Sequence, residues 1–459
     1  MARADSRGYW LTAIIFLAGS ALLATVVART ALQGPAVIGV EENRLREYAG
    51  VYSWQDGGFV SLQMWDEFTG FEKPKQLVAF DESGDVRALY PTDRDRFFAG
   101  PGAAVATSVE SRIAFQRDGA GRIASFTWTR EGAHPRTARR MDAETHEEVR
   151  FSNGEVRLSG TLIRPRRTSR VPAVILAHGS GPEDREYVLP WARFLVHRGM
   201  AVLGYDKRGV GASTGAWNQA SFEDLAGDVV AAFNYLRTRP DIDPAAVGLI
   251  GISQAGWVMP IAAVRAPEVA FLISISGAAV TPAETTLDQA RNEMTASGMQ
   301  APVVERIIDL MKLKYEFART GHGWELYAAA RNEMAQRMGG PPPPAFPATQ
   351  DDDHWSIVRR TYFFDPAPTL RRLKTPVLAI FGARDNNILA AKNRAAWAAA
   401  LKAGGHRDYT LTILPRANHL QFEAILGSNA EGASLKRFVP EYSVALRQWL
   451  AKRVRGFDQ

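Results

Sequence analysis

The chain has no cysteine among its 459 residues. That excludes disulfides, thiolate-held zinc or iron–sulfur centres, a cysteine nucleophile and a lipid-modified N-terminal cysteine. Strong charge asymmetry is also missing. The formal net charge is +6, and the arginines are scattered rather than gathered in a stripe. A nucleic-acid partner is therefore not expected. The one short cluster of metal-type residues, Asp351-Asp352-Asp353-His354, is a run of neighbours that cannot all face one ion, so it reads as a solvated turn. No metal and no cofactor is expected.

What is present is globular in composition, 46% hydrophobic and 23% charged. The length suits two or three domains at ~100–200 residues each. Residues 8–28 carry no charge and are strongly apolar, with Arg3 and Arg7 before them and Arg29 after. About 20 helical residues cross a bilayer core. Segment 1–30 is therefore expected to be an uncleaved membrane anchor, with a cleaved signal ending near Ala28 as the alternative. Either places the bulk of the protein in the periplasm or outside the cell.

From about 45 to 140 the chain changes to short alternating runs divided by Gly/Asp turns, such as Gln55-Asp56-Gly57-Gly58 and Asp118-Gly119-Ala120-Gly121. This spacing predicts a small antiparallel barrel or sandwich over 40–145. Tyr52, Trp54, Trp65, Tyr90 and Trp128 are expected to be its core and strand faces rather than a ligand cleft. The pattern at Leu45 to Tyr52 loosely resembles small lipocalin-like domains attached to secreted bacterial hydrolases.

The rest of the chain, 146–459, is organised around Val247-Gly248-Leu249-Ile250-Gly251-Ile252-Ser253-Gln254-Ala255-Gly256. An apolar strand runs into a tight turn with a serine at its tip, and an apolar helix follows. This is the nucleophile-elbow pattern G-x-S-x-G, with Ala255 in the second glycine slot. Other apolar runs, Val171 to Ala177, Met200 to Tyr205, Ala270 to Ser276 and Pro376 to Phe381, alternate with helical segments. One such helix has Ser221 as its expected N-cap. The pattern predicts an α/β fold with a mostly parallel sheet, preceded by a β-hairpin turning near Asn153-Gly154.

The late strands end in groups that serine chemistry requires. Phe381 leads to Asp385, and Leu414 leads to His419. A serine hydroxyl holds its proton at neutral pH, so a histidine must take it, and a carboxylate must fix the imidazole tautomer. The order Ser253, Asp385, His419 is the α/β-hydrolase order. Two backbone N–H groups must also face the oxygen that becomes negative. Gln254 N–H is the first, and Ser180 N–H, or failing that Gly179 N–H, is the second. His178 is expected to shape its glycine loop, and Asp206 and Arg208 to organise theirs.

The motifs His178-Gly-Ser-Gly-Pro-Glu-Asp-Arg185, Tyr205-Asp-Lys-Arg-Gly-Val-Gly-Ala-Ser213, Gly251-Ile-Ser-Gln-Ala-Gly256, Gly382-Ala-Arg-Asp385 and Asn418-His419 resemble bacterial α/β-hydrolases. The nearest likeness is to EstD-like carboxylesterases, neighbours of the serine aminopeptidase and prolyl oligopeptidase groups. The resemblance covers about two-thirds of the chain. It implies hydrolysis of a small acyl ester through an acyl-enzyme, with Ser253, Asp385 and His419 as nucleophile, acid and base.

Between the strands near 275 and 377 no strand series appears, and a helical cap over about 278–374 is expected. Met294, Met299, Met311, Phe317, Trp324, Tyr327, Tyr362 and Phe363 are candidates to line a pocket, although packing of the cap is the commoner fate of such residues. Other activities stay open. A peptidase or amidase, a thioesterase or an acyltransferase uses the same triad, and a catalytically silent membrane-anchored binding protein is the reading from another class.

Overall fold

A computed structural model describes residues 35–66, 75–167, 169–187, 189–341 and 345–458, without the side chains of 189–192. The expected anchor or signal at 1–30, with its apolar helix, lies outside the described residues. Among the described residues no helix is long and apolar enough to cross a membrane.

The first sheet has nine strands: β1 (Gly50–Trp54), β2 (Phe59–Trp65), β3 (Gln76–Asp81), β4 (Val86–Ala88), β5 (Tyr90–Asp93), β6 (Arg96–Ala99), β7 (Ser111–Arg117), β8 (Ile123–Arg130) and β9 (Arg136–Arg140). They pair antiparallel in the order β4-β3-β2-β1-β9-β8-β7-β6-β5. The two edge strands are joined by Leu89 alone, so the sheet curls round until its edges meet in one kinked segment. That closure is barrel-like and leaves little free edge. Tyr52, Leu62, Phe97, Phe115 and Phe126 fill its interior, with Trp54 beside them and Trp128 packed against the cluster. These aromatics are core, as expected of a small β unit.

The opposite face of this sheet is covered too. Trp65, Val78, Phe80, Val86, Tyr90 and Phe98 share one apolar cluster with Ile250, Phe271, Leu446 and Trp449. Trp65 Nε1–H also donates to Tyr187 O at 3.1 Å. Period-two alternation explains the division along β3: Leu77 and Ala79 face the barrel interior, while Val78 and Phe80 face the second unit.

The second sheet contains β10 (Glu144–Asn153), β11 (Val156–Pro165), β12 (Val171–Ala177), β13 (Ala201–Tyr205), β14 (Ile242–Ile252), β15 (Leu272–Ile275), β16 (Val377–Gly382) and β17 (Tyr409–Leu414). Its order is β10-β11-β13-β12-β14-β15-β16-β17. The β10–β11 hairpin turns at Gly154, in the left-handed region at φ +56°. β11 meets β13 antiparallel, and every later pairing is parallel. Helices Phe222–Arg237, Ala255–Arg265 and Ala390–Ala403 cover one face. The first of these has Ser221 as its N-cap, as its sequence implied, and the structure adds a capping box with Asp224. β12 is buried at all seven positions, as a strand covered on both faces must be. This is the α/β-hydrolase arrangement expected from the strand–helix alternation.

Between β15 and β16 the chain forms helices Pro282–Ala296, Ala301–Thr320, Trp324–Met338, His354–Thr361 and Ala367–Arg372. The first four hold a core of their own. Met294, Met311, Phe317 and Tyr327 are buried in it, and Met299, Trp324, Tyr362 and Phe363 pack against it. The expected lining residues are thus largely the inside of the cap. Lys314 lies among them, 1% exposed, with the faces of Tyr315, Phe346 and Tyr362 within 6 Å.

Candidate active site

Ser253 follows β14 directly and has φ +58°. For a residue with a Cβ this conformation costs ~1–2 kcal/mol, so the surroundings must impose it. Ser253 N–H donates to Ile275 O at 3.1 Å, and its carbonyl accepts from Gly256 N–H at 2.9 Å and Ala278 N–H at 3.2 Å. The glycine pattern has a steric reason. A Cβ on Gly251 would stand 2.4 Å from Ala255 Cβ and 2.8 Å from Ala177 O. A Cβ on Gly256 would stand 2.5 Å from Ala278 N. Ala255 is accommodated because its methyl uses the room that Gly251 leaves, and Gly256 makes the close approach instead.

Asp385 and His419 come from the ends of β16 and β17 and meet side by side. His419 Nδ1 lies 2.9 Å from Asp385 Oδ2. The other carboxylate oxygen, Oδ1, accepts from Asn387 N–H at 2.8 Å and Ile388 N–H at 2.7 Å. Both oxygens are therefore fixed, and the carboxylate presents one lone pair to the ring. With Nδ1–H donating to it, Nε2 is the ring nitrogen that carries the lone pair. The histidine loop is braced as well. Asn418 Oδ1 accepts from Leu420 N–H and Phe422 N–H, and Gln421 Nε2–H donates to Ser276 Oγ at 2.9 Å. A Cβ on Gly382 would stand 2.3 Å from Ala417 O and 2.5 Å from Asn418 O, so only glycine lets the Asp385 and His419 loops approach.

The cap reaches this pair through Glu293, which is 3% exposed. Its carboxylate accepts from Asn429 N–H, and Asn292 Nδ2–H donates to Asn386 O. Burial raises the Glu293 carboxyl above its ordinary value, Asp385 adds to the rise, and hydrogen bonds from Asn429 and Asn386 oppose it.

The loop after β12 lies at the same carboxyl edge of the sheet. His178 is 5% exposed, and its Nε2–H donates to Tyr205 O at 2.6 Å. Burial, with Lys207 nearby, holds it down to about 3. It is a neutral, structural imidazole with its Nε2 proton committed, and not a second base. Gly179 N–H donates to Glu183 Oε2 at 2.7 Å. Ser180 is exposed, and its N–H donates to no acceptor among the described residues. Asp206 accepts from Arg185 and from Ala212 N–H, and Arg208 pairs twice with Asp228 at 2.7 Å. These two residues organise their loop, as their position implied.

The Asp351 to Asp353 turn leads into a helix. His354 Nε2 faces Lys314 Nζ at 3.4 Å, and Asp352 Oδ1 accepts from His354 N–H. Among the described residues no three metal-type side chains gather at one point.

The structure therefore brings Asp385 and His419 into contact and sets Ser253 on the same sheet edge, at the end of β14, with β15 between it and β16. Sequence reasoning passed over Glu183, Lys207 and Glu293. Lys207 and Glu183 stood inside motifs already singled out, and their chemistry was the available signal. Glu293 had none, being one polar residue among several on a cap helix.

The family model for X-Pro dipeptidyl-peptidase (S15 family) matches residues 153–421. The chain belongs to the S15 family. The match runs from the β10–β11 turn past His419 and so takes in Ser253, Asp385, His419 and the loop after β12. Esterase EstD of Thermotoga maritima is 25% identical to this S15 member over 288 residues, which are 61% of each protein. Thiohydrolase aneE of Aspergillus aculeatus is 34% identical over 137 residues, 29% of this chain and 42% of that one. The chain thus spans about three-fifths of EstD's length and less of aneE's. Acylaminoacyl peptidase of Pyrococcus horikoshii is a similar solved structure, at 15% identity and TM-score 0.44, covering 83% of this chain and 54% of that one. The S15 match and the EstD relationship agree with the likeness drawn from the motifs, and the chain has the α/β-hydrolase fold.

Proposed function

We propose that this hydrolase cleaves carboxylic esters of small or medium acyl chains through an acyl-enzyme on Ser253. The observation that carries the reading is the Asp385–His419 pair, in which the carboxylate takes Nδ1 and so assigns the lone pair to Nε2, on the sheet edge that bears Ser253. His419 Nε2 takes the Ser253 proton as Oγ attacks the acyl carbon, and returns it to the departing alkoxide. Water then repeats the sequence and releases the acid and free Ser253. Asp385 stabilises the imidazolium without taking its proton. The oxyanion is received by Gln254 N–H and Ser180 N–H. Gly179 falls behind Ser180 here because its N–H is spent on Glu183. The apolar stretch at 8–28 supports attachment to a membrane or export from the cytoplasm.

The test is labelling of the enzyme with a fluorophosphonate, located by mass spectrometry, with turnover of p-nitrophenyl esters from acetate to decanoate. The adduct is expected on Ser253, with turnover lost in Ser253→Ala. An adduct elsewhere, or undiminished turnover in the variant, would sink the reading. A second reading, cleavage of peptide bonds after proline, is favoured by the family match itself. Turnover of glycyl-prolyl-p-nitroanilide well above that of the esters would select it.

A further inference from the structure

Lys207 follows β13 and is 2% exposed. Its ammonium has three N–H donors, and three acceptors surround it. Gly179 O stands at 2.7 Å, Gly181 O at 2.9 Å and Gln254 Oε1 at 3.1 Å. All three belong to segments proposed above to form the oxyanion hole. The first two are carbonyls flanking Ser180, and the third is the side chain of the residue whose N–H is the other donor. No other described side chain joins the two segments in this way. We propose that Lys207 is a positioning residue of the oxyanion hole, clamping the Gly179 and Gly181 carbonyls and the Gln254 side chain so that Ser180 N–H is turned outward to the substrate. The inference rests on the acyl-enzyme reading.

The argument is one of peptide geometry. A trans peptide is planar, and its C=O and N–H point to opposite sides. The Gly179 carbonyl and the Ser180 N–H belong to the same peptide. Holding that carbonyl on the buried ammonium turns the N–H away from it. Two neighbouring positions offer no competing donor. Gly179 N–H is held by Glu183, and the peptide after Gly181 belongs to Pro182, which has no N–H. Gly181 N–H also meets no acceptor among the described residues, but its peptide carries the Ser180 carbonyl, which Lys207 does not hold, so Ser180 N–H is the donor of residues 179–182 whose own peptide is fixed by the ammonium. An ammonium suits this place because it offers three diverging donors and no acceptor. A methionine of similar length would leave two buried carbonyls unpaired, and the peptide could then rotate.

The charged state matters, because a neutral amine would turn a lone pair toward one of three acceptors. Burial pulls Lys207 down to about 8, against Glu183 on the oxyanion loop and Asp228 on helix Phe222–Arg237, which hold it up. His178, which faces it from the end of β12, is neutral. Asp206 and Arg208 on its own loop are paired with Arg185 and Asp228.

The experiment uses the full chain, with Lys207→Met, Lys207→Gln and Lys207→Arg beside Ser253→Ala. For Lys207→Met, kcat on a p-nitrophenyl ester is expected to fall by about 10- to 10²-fold, part of the ~10²–10³-fold cost of losing an oxyanion donor, with KM nearly unchanged. Inhibition by a trifluoromethyl ketone, which forms a tetrahedral oxyanion on the serine, should weaken by the same factor. In the wild type kcat should decline on an alkaline limb below the ordinary lysine range, and this limb should be absent in Lys207→Arg. Equal kcat and equal ketone inhibition in folded Lys207→Met, or an alkaline limb unchanged in Lys207→Arg, would overturn the proposal. If Met and Gln variants fail to fold, the comparison of limbs between wild type and Lys207→Arg decides. Full turnover in Ser253→Ala would instead overturn the acyl-enzyme reading beneath it.

Discussion

In the barrel, β7 buries Ser111, Ile113 and Phe115 and turns Arg112 and Gln116 to solvent. In the second sheet, β12 has no exposed position at all. The two patterns reflect what covers each sheet, and they also decide where chemistry can gather. Antiparallel strands joined by tight turns alternate in direction, so their ends divide between two rims with short loops at each. Parallel strands need long crossovers, and all their carboxyl ends lie on one edge. His178, Asp206, Ser253, Asp385 and His419 each follow such an end. Among the described residues nothing comparable converges on the barrel, although its strands carry more aromatic residues than those of the sheet beside it. Strand direction, more than composition, separates the structural half of the molecule from the chemical one.

The largest expected effects lie on the chemical edge. Ser253→Ala or His419→Ala should lower kcat by about 10⁴- to 10⁶-fold, and Asp385→Asn by ~10⁴-fold, with melting temperatures close to the wild type. A loss of less than tenfold in any of them would break the comparison, since the strand ends would then hold no shared machinery.

The next effects bear on the joint between the sheets. Phe80 packs in the cluster shared with the second unit, and Phe126 in the barrel interior. Each truncation to alanine should cost ~3–5 kcal/mol. Because the shared cluster ties the halves together, calorimetry should show one cooperative transition in the wild type, displaced downward in Phe80→Ala. Two resolved transitions would show that the barrel folds by itself and that the shared face adds little.

A smaller effect tests the cap. Burial lowers Lys314 to about 7 from 10.5. Between those values the unfolded chain keeps a proton that the folded chain has released, so stability should rise with pH across that window, by up to a few kcal/mol. The three aromatic faces offset part of the cost of the charge below it. Lys314→Met should raise stability at pH 7 and remove the slope, as followed by denaturant unfolding at several pH values. His178 and His354, held down to about 3 and about 4, act in the acid range. There the unfolded chain takes up protons first, and stability should fall as pH drops below about 6.5.

The smallest pair contrasts two glycines. Gly121 sits in a barrel turn at φ +79° with open space around it, so alanine should cost only ~1 kcal/mol and leave turnover alone. Gly382→Ala, by pushing the Ala417–Asn418 backbone, should lower kcat at least ~10-fold. Equal turnover in the two variants would remove the close approach from the account of the site.

Much was decided by the sequence alone. The elbow around Ser253, the strand-to-loop steps into Asp385 and His419, the N-cap at Ser221 and the hairpin at Gly154 are short-range features, written in neighbouring residues and their periodicity. So was the alternation that marks the first region as antiparallel. Tertiary structure decided what depends on segments far apart in the chain. It closed the barrel by pairing β1 with β9, and it merged one barrel face with the hydrolase core. It turned the cap's methionines and aromatics inward on each other. It also gave Gly179 N–H to Glu183, brought Glu293 to the Asp385 and His419 loops, and set Lys207 under three acceptors from two loops. Such contacts have no local pattern, because they arise from the fit of packed surfaces and from the need to satisfy each buried polar group.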